Sequence, residues 1–204
     1  MAQFIVIEGI DGAGTSTQAR RLAEALRDAG REVRETFEPT DGPVGLLIRS
    51  MLRKTEPPLP DPKAAKRLFA RLFAADRHHH LHKPDDGVLS CLAANRDVVA
   101  ARYVLSSLAY EGDDAIEQAF VLAQNAEFPT PDLTVYLDCP VSLALDRIRA
   151  RGQTVELFEN EAKLARVRAG YERALSGYPG VVLRLDAARA PEELTQDILS
   201  QIAR

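Results

Sequence analysis

Five short strand-like runs recur along the 204-residue chain, at Phe4–Ile7, Glu32–Thr36, Asp97–Ala101, Leu133–Leu137 and Val181–Leu185. Runs of this length, rich in β-branched and apolar residues, read as strands, and the unbroken Phe4-Ile-Val-Ile reads as a strand buried on both faces. The stretches between them are long enough for crossover helices. One of these, Thr17-Gln-Ala-Arg-Arg-Leu-Ala-Glu-Ala-Leu, carries apolar residues at helical spacing and opens an amphipathic helix directly after the first strand. Such alternation predicts an α/β fold with a parallel five-stranded sheet flanked by helices on both faces, and ligands at the carboxyl ends of the strands. Pro57-Pro-Leu-Pro-Asp-Pro62 is expected to be a loop between two helical segments, because its prolines forbid helix through it. It need not separate domains, and no internal repeat or low-complexity tract is present. We expect one domain over residues 1–204.

Composition narrows the class. With 46% apolar residues the chain can bury one large core without disulfide or metal staples. A net charge of −4 provides no basic footprint for nucleic acid. Cys91 and Cys139 lie in apolar surroundings, as in a reducing compartment. No apolar run approaches the ~20 residues of a membrane span, and the first strand starts at residue 4 with no leader-like segment before it. These features point to a cytoplasmic protein with no membrane or nucleic-acid partner.

The chemistry begins after the first strand. Gly9-Ile10-Asp11-Gly12-Ala13-Gly14-Thr15-Ser16, followed by Thr17, has the frame of a P-loop, G-x-x-x-x-G-K-[ST], with Thr15 in the lysine position. The glycines allow a tight loop whose backbone N–H groups converge on one concavity, and the following helix adds about half a positive charge at its N-terminus. Such a nest binds polyphosphate. Ser16 stands where the motif places the hydroxyl that ligates Mg²⁺, so ATP and magnesium are the expected co-substrate and cofactor. His78-His-His-Leu-His82 invites a metal reading. Only His78 and His82 share an i, i+4 face, and no Cys or carboxylate pattern accompanies them, so the tract is set aside as a metal site.

Four further segments follow the loop in a characteristic order: Glu38-Pro39-Thr-Asp-Gly-Pro-Val-Gly45 with Ile48-Arg49; Leu72-Phe73-Ala-Ala-Asp-Arg77; Ala101-Arg102-Tyr103-Val-Leu-Ser106-Ser107-Leu-Ala-Tyr110-Glu-Gly112; and Pro131-Asp132-Leu-Thr-Val-Tyr-Leu-Asp138. Together the chain resembles the thymidylate kinases from Phe4 to about Tyr171. The resemblance implies a P-loop NTPase fold, usually a homodimer, that moves the γ-phosphoryl of ATP onto dTMP. It implies that Arg49 and Arg102 hold the acceptor phosphate, a task suited to the planar guanidinium fork. By the same resemblance Phe73 stacks on the pyrimidine, Arg77 donates to its O4, and Ser107 and Glu111 lie at the base edge. Tyr110 crowds out a ribose 2′-hydroxyl, Asp11 accepts from the 3′-hydroxyl, and Phe37 takes a place that many relatives give to arginine. Glu111 replaces an amide, and an ionised carboxylate accepts from N3–H but cannot donate.

A lid over ATP is implied at about residues 147–160, between Asp146-Arg147-Ile-Arg149-Ala-Arg151-Gly152 and Phe158-Glu159-Asn-Glu161, with Arg151 chosen as its cation near the nucleotide. Arg102, Arg151 and Thr15 form the candidate catalytic group. Two further departures from the family pattern lie at the reaction centre. Thr15 lacks the ammonium that bridges β- and γ-phosphates, and Ala101 stands where an Asp-Arg-Tyr motif supplies a carboxylate; a threonine hydroxyl, a lid arginine, Asp11 or Glu38 are the groups that could take over, with Glu38 and Ser16 as candidate magnesium ligands. A nucleotide-binding pseudokinase and a kinase for another deoxynucleotide remain the alternative readings.

Overall fold

The computed structural model describes residues 1–53, 59–151 and 157–202, with side chains from residue 161 onward in the last segment. Five strands, β1 (Phe4–Glu8), β2 (Val33–Phe37), β3 (Asp97–Ala101), β4 (Leu133–Asp138) and β5 (Val182–Asp186), form one sheet in the order β2-β3-β1-β4-β5, every pairing parallel. The strands fall within one residue of the expected boundaries at each end. Helices α1 (Thr15–Asp28), α2 (Pro43–Leu52), α3 (Pro62–His82), α4 (Val88–Ala93), α5 (Val104–Glu111), α6 (Ala115–Gln124), α7 (Val141–Ala150), α8 (Leu157–Ser176) and α9 (Pro191–Ile202) surround it.

Side-chain alternation along β1 and β3 assigns the two faces. Ile5 and Ile7, with Val99 and Ala101, join the larger core beside Leu22, Leu26, Tyr171 and Ile198. Phe4 and Val6, with Val98 and Ala100, join a smaller core with Leu81, Val88 and Cys91. Burial on both faces is why β1 reads as an unbroken apolar run, whereas β2 and β5, at the edges, are only partly buried. The Phe4 N–H donates to Asp132 Oδ2 at 2.7 Å, so the Pro131-Asp132 segment pins the start of β1.

Two helix starts differ from expectation. α1 begins at Thr15, two residues earlier than the apolar pattern indicates, because Gly14 at φ 99° forms the N-cap and turns the loop directly into helix. α3 begins at Pro62 itself: Asp61 caps it by accepting from the Lys63 N–H at 3.0 Å, and proline at the first helical position loses no hydrogen bond. The rest of the expected Pro57–Pro62 loop is in part outside the described residues, at 57 and 58. Both cysteines are buried and free, in different cores.

With β1 between β3 and β4, the loops leaving β1 and β3 lie side by side at the carboxyl edge of the sheet. This is the switch point at which open α/β sheets bind ligands.

Candidate active site

The loop after β1 is shaped by close packing. Gly12 sits at φ 86°, and a Cβ there would come within 2.5 Å of the Ala144 carbonyl oxygen on α7. Ile10 and Ala13 turn their side chains into the core, so the loop presents backbone to the outside. Gly14 offers no side-chain cap to α1, which leaves the first N–H groups of that helix free for an anion. Thr15 is buried at 7% exposure, and Ser16 is exposed. A cavity of about 550 Å³ opens over Gly12, Gly14, Thr15, Ser16 and Thr17.

Behind the loop lies a buried carboxyl group. Glu8, fully enclosed, accepts from the Tyr103 N–H (2.8 Å), the Ser106 N–H (3.2 Å), the Ser106 hydroxyl (2.6 Å) and the Tyr171 hydroxyl (2.9 Å). Burial pushes its carboxyl up from the ordinary range, against those hydrogen bonds and the nearby Arg102 charge. Arg102, at φ 72°, leaves β3 in the left-handed region and reaches over β1, donating to the Gly9 carbonyl at 3.0 Å and to Asp11 Oδ1 at 2.6 Å. A non-glycine residue held in this region by its neighbours is common at ligand sites. The Glu8 hub therefore ties the P-loop to the turn that carries Arg102.

A second cavity, of about 350 Å³, adjoins the first. Seven of the nine residues expected at a monophosphate site line it: Asp11, Phe73, Arg77, Arg102, Ser107, Tyr110 and Glu111. Arg77 is 1% exposed and heavily committed. Its Nε and Nη2 donate to Glu38 Oε2 at 2.9 and 2.6 Å, Nη2 also reaches Ser107 Oγ at 3.4 Å, and Nη1 donates to Asn125. A guanidinium has five N–H donors, so one on Nη1 has no acceptor among the described residues. The other oxygen of Glu38 meets His80 Nδ1 at 3.2 Å, and His80 in turn contacts the Thr36 hydroxyl at 2.7 Å. Glu38, expected as a magnesium ligand, thus spends both oxygens on Arg77 and His80.

Tyr110 lies beneath Arg102, whose guanidinium carbon is 5.5 Å from the ring centre. Glu111 is buried, and its Oε2 has no hydrogen-bond partner among the described residues. Burial pushes its carboxyl up to about 8, with Arg77, Lys66, Lys163 and Arg102 opposing. At neutral pH it is therefore mostly a carboxylic acid, which both donates and accepts as an amide does. That amends the expectation of an acceptor-only carboxylate.

Arg49 and Phe37 stand apart from this group. They face a neighbouring cleft that also holds Ser16 and Ala101, with the Arg49 guanidinium carbon 5.2 Å from the Phe37 ring centre. Arg49 also lines the P-loop cavity; it donates to the Pro39 carbonyl and lies 3.6 Å from Asp41. Arg147 is tied to the Ala13 and Ala187 carbonyls at 3.3 and 2.9 Å, and Arg149 to Asp146 at 3.1 Å. Arg151 lines the P-loop cavity. The remainder of the expected lid, residues 152–156 and the side chains of 157–160 including Phe158 and Glu159, is outside the described residues.

Several participants were not expected from sequence: Glu8, Tyr171, Asn125, Phe69, Lys66 and Lys163. Lys66, Phe69, Phe73 and Arg77 recur at helical spacing on α3, a signal that was available. Tyr171 is far in sequence from Glu8 and Ser106, and Asn125 from Arg77, so neither pairing carried such a signal. His78 and His82 stack at 4.6 Å between ring centres, and among the described residues no three His, Cys, Asp or Glu side chains cluster to hold a metal.

The family model for thymidylate kinase matches residues 7–198. A putative thymidylate kinase of Treponema pallidum is 38% identical over 204 residues, covering 98% of this chain and 94% of that protein. A probable thymidylate kinase of Pyrococcus horikoshii is 38% identical over 200 residues (98% and 95%), and a thymidylate kinase of Desulfotalea psychrophila 33% over 201 (98% and 94%). With the parallel sheet, the phosphate loop and these relatives in agreement, the chain belongs to the thymidylate kinase family.

Proposed function

We propose that the chain transfers the γ-phosphoryl of ATP to dTMP, giving dTDP. The observation that carries this reading is the meeting of the two cavities, one over the phosphate loop and one over Phe73 and Arg77, at Asp11 and Arg102. Two nucleotides bound in these cavities have their phosphates facing across that junction. Arg102, anchored by Gly9 and Asp11, approaches the acceptor phosphate and neutralises it as an oxygen attacks the γ-phosphorus. Phosphoryl transfer needs little covalent help from the protein, so positioning and charge neutralisation do most of the catalysis.

On the acceptor side Phe73 stacks on thymine, the remaining Nη1 hydrogen of Arg77 donates to O4, and Ser107 and protonated Glu111 meet the base edge. Tyr110 fills the space of a 2′-hydroxyl, Asp11 takes the 3′-hydroxyl, and Arg49 with Phe37 closes the phosphate end from the adjoining cleft. On the donor side the backbone from Gly9 to Thr17 cradles the ATP phosphates, and Arg151 stands at the nucleotide. Magnesium keeps several waters and is carried largely by substrate phosphates, so the exposed hydroxyl of Ser16 suffices as its protein ligand. The metal would draw charge from the β- and γ-oxygens. We take residues 1–204 as one such domain, with P-loop 9–16 and lid about 147–160, acting as a cytoplasmic homodimer; no helix among the described residues is long and apolar enough to cross a membrane.

A coupled ADP-release assay across the common nucleoside monophosphates tests the function. Turnover should be highest with dTMP. Faster turnover with another monophosphate would reassign the acceptor, and calorimetry without dTMP binding at millimolar concentration would remove the pocket assignment.

A further inference from the structure

Thr15 leaves the phosphate loop without its ammonium, and the structure restricts which cation can stand in. Among the described residues, four basic side chains line the P-loop cavity: Arg49, Arg102, Arg151 and Lys163. Arg49 is held by the Pro39 carbonyl and Phe37, and Arg102 by Gly9 and Asp11. The side chains of Arg151 and Lys163 have no hydrogen bond or ion pair among the described residues.

The cavities distinguish these two. Arg151 is shared between the P-loop cavity and a cleft running past Arg147 and Arg189 to Pro191, away from the acceptor. Lys163 is shared between the P-loop cavity and the Phe73 cavity, together with Asp11, Leu52 and Arg102. It therefore stands at the junction the transferring group must cross. Its backbone is firmly placed, since Leu164, Val167 and Tyr171 bury the adjacent face of α8, and Tyr171 binds the Glu8 hub. The ammonium itself is exposed on a flexible four-carbon stem.

Resting on the phosphotransferase reading above, we propose that Lys163 supplies from α8 the positive charge that Thr15 cannot, binding the equatorial oxygens of the phosphoryl group in transit. The loop lysine of the usual motif comes from the start of α1; here the same charge arrives from α8, which lines the same cavity through Lys163. Arg151 is left to the donor end. A cation aimed at charge that develops during transfer acts on kcat more than on KM.

The test is a double-mutant cycle on initial rates with saturating dTMP and Mg-ATP. Lys163 is exposed, so its replacement leaves the core intact, as circular dichroism would verify. Lys163→Ala should lower kcat by roughly 10²- to 10³-fold, the usual loss for one preorganised donor, with both KM values changed only a few-fold. Lys163→Arg should keep most of the rate. Thr15→Lys should raise kcat by about tenfold or more in the Lys163→Ala background and by a clearly smaller factor in the unaltered chain, because each cation makes the other partly redundant. An unchanged kcat in Lys163→Ala, a loss confined to KM, or strict additivity of the two changes would overturn the assignment to Lys163 alone. Absence of turnover in the unaltered chain would overturn both this assignment and the kinase reading.

Discussion

Glu111 and Arg77 show how burial decides what a side chain is. The Glu111 carboxyl titrates near 4.5 when the chain is unfolded and at about 8 when folded. Between those values the unfolded chain binds fewer protons, so stability falls as pH rises from about 4.5 to about 8 and is fully retained only below that window. Glu111→Gln removes the penalty. The variant should equal the parent near pH 4.5 and exceed it at pH 8 by a few kcal/mol, on the order of 4, in urea denaturation. dTMP affinity of the parent should fall as pH rises through 8, whereas that of the variant stays flat; parallel profiles would mean that Glu111 does not meet the base. Arg77 forms a buried pair with Glu38, whose other contact is His80. Arg77→Ala leaves Glu38 buried without its guanidinium and should cost about 3–5 kcal/mol. Adding Glu38→Gln should recover part of that, and dTMP binding should remain weak in both while ATP binding is retained.

The glycine loop and α1 form the element on which the donor site rests, and two of its glycines serve different ends. Gly12 is required by packing as well as by φ: its Cβ would strike the backbone of α7 at Ala144. Gly14, at φ 99°, has nothing within 4 Å of a built Cβ and is required by conformation alone. Gly14→Ala should therefore cost about 1–2 kcal/mol of backbone strain, and Gly12→Ala more, since α7 must also move. Thermal melts should rank them in that order, and the reverse order would show that α7 yields easily. The motif spacing marks both positions as glycine, yet only the neighbouring helix distinguishes them. α1 starts early because Gly14 turns the loop directly into helix, and Thr15, the first helical residue, is buried although it belongs to no apolar stripe.

Across the whole molecule, stability should grade from the centre of the sheet outward. β1 lies between β3 and β4 and is buried on both faces, while β5 is an edge strand with Val182 37% exposed. Amide exchange in β1 and β3 should require global unfolding, and β5 should exchange through local opening several kcal/mol less costly. Equal protection in the two strands would mean that edge and centre unfold as one unit. The central position of β1 also places the donor loop and Arg102 on adjacent strands, so binding of either nucleotide should raise protection at the carboxyl ends of β1 and β3.

The strands, the phosphate loop and the order of the acceptor segments were readable from sequence because each is a local pattern: apolar runs of strand length, glycines at fixed offsets, and short motifs along single elements. Tertiary structure alone decided which charges are available. Arg77 and Arg102 look alike in sequence, but one is almost fully spent on Glu38 and Asn125 and the other bridges two loops. Glu111 becomes neutral, Glu38 gives up its oxygens to Arg77 and His80, and Lys163 reaches the cavity junction from a helix more than 140 residues after the loop. Protonation and pairing depend on which groups folding brings within a few ångströms and on how much water it removes. Neither quantity is a property of a residue and its sequence neighbours.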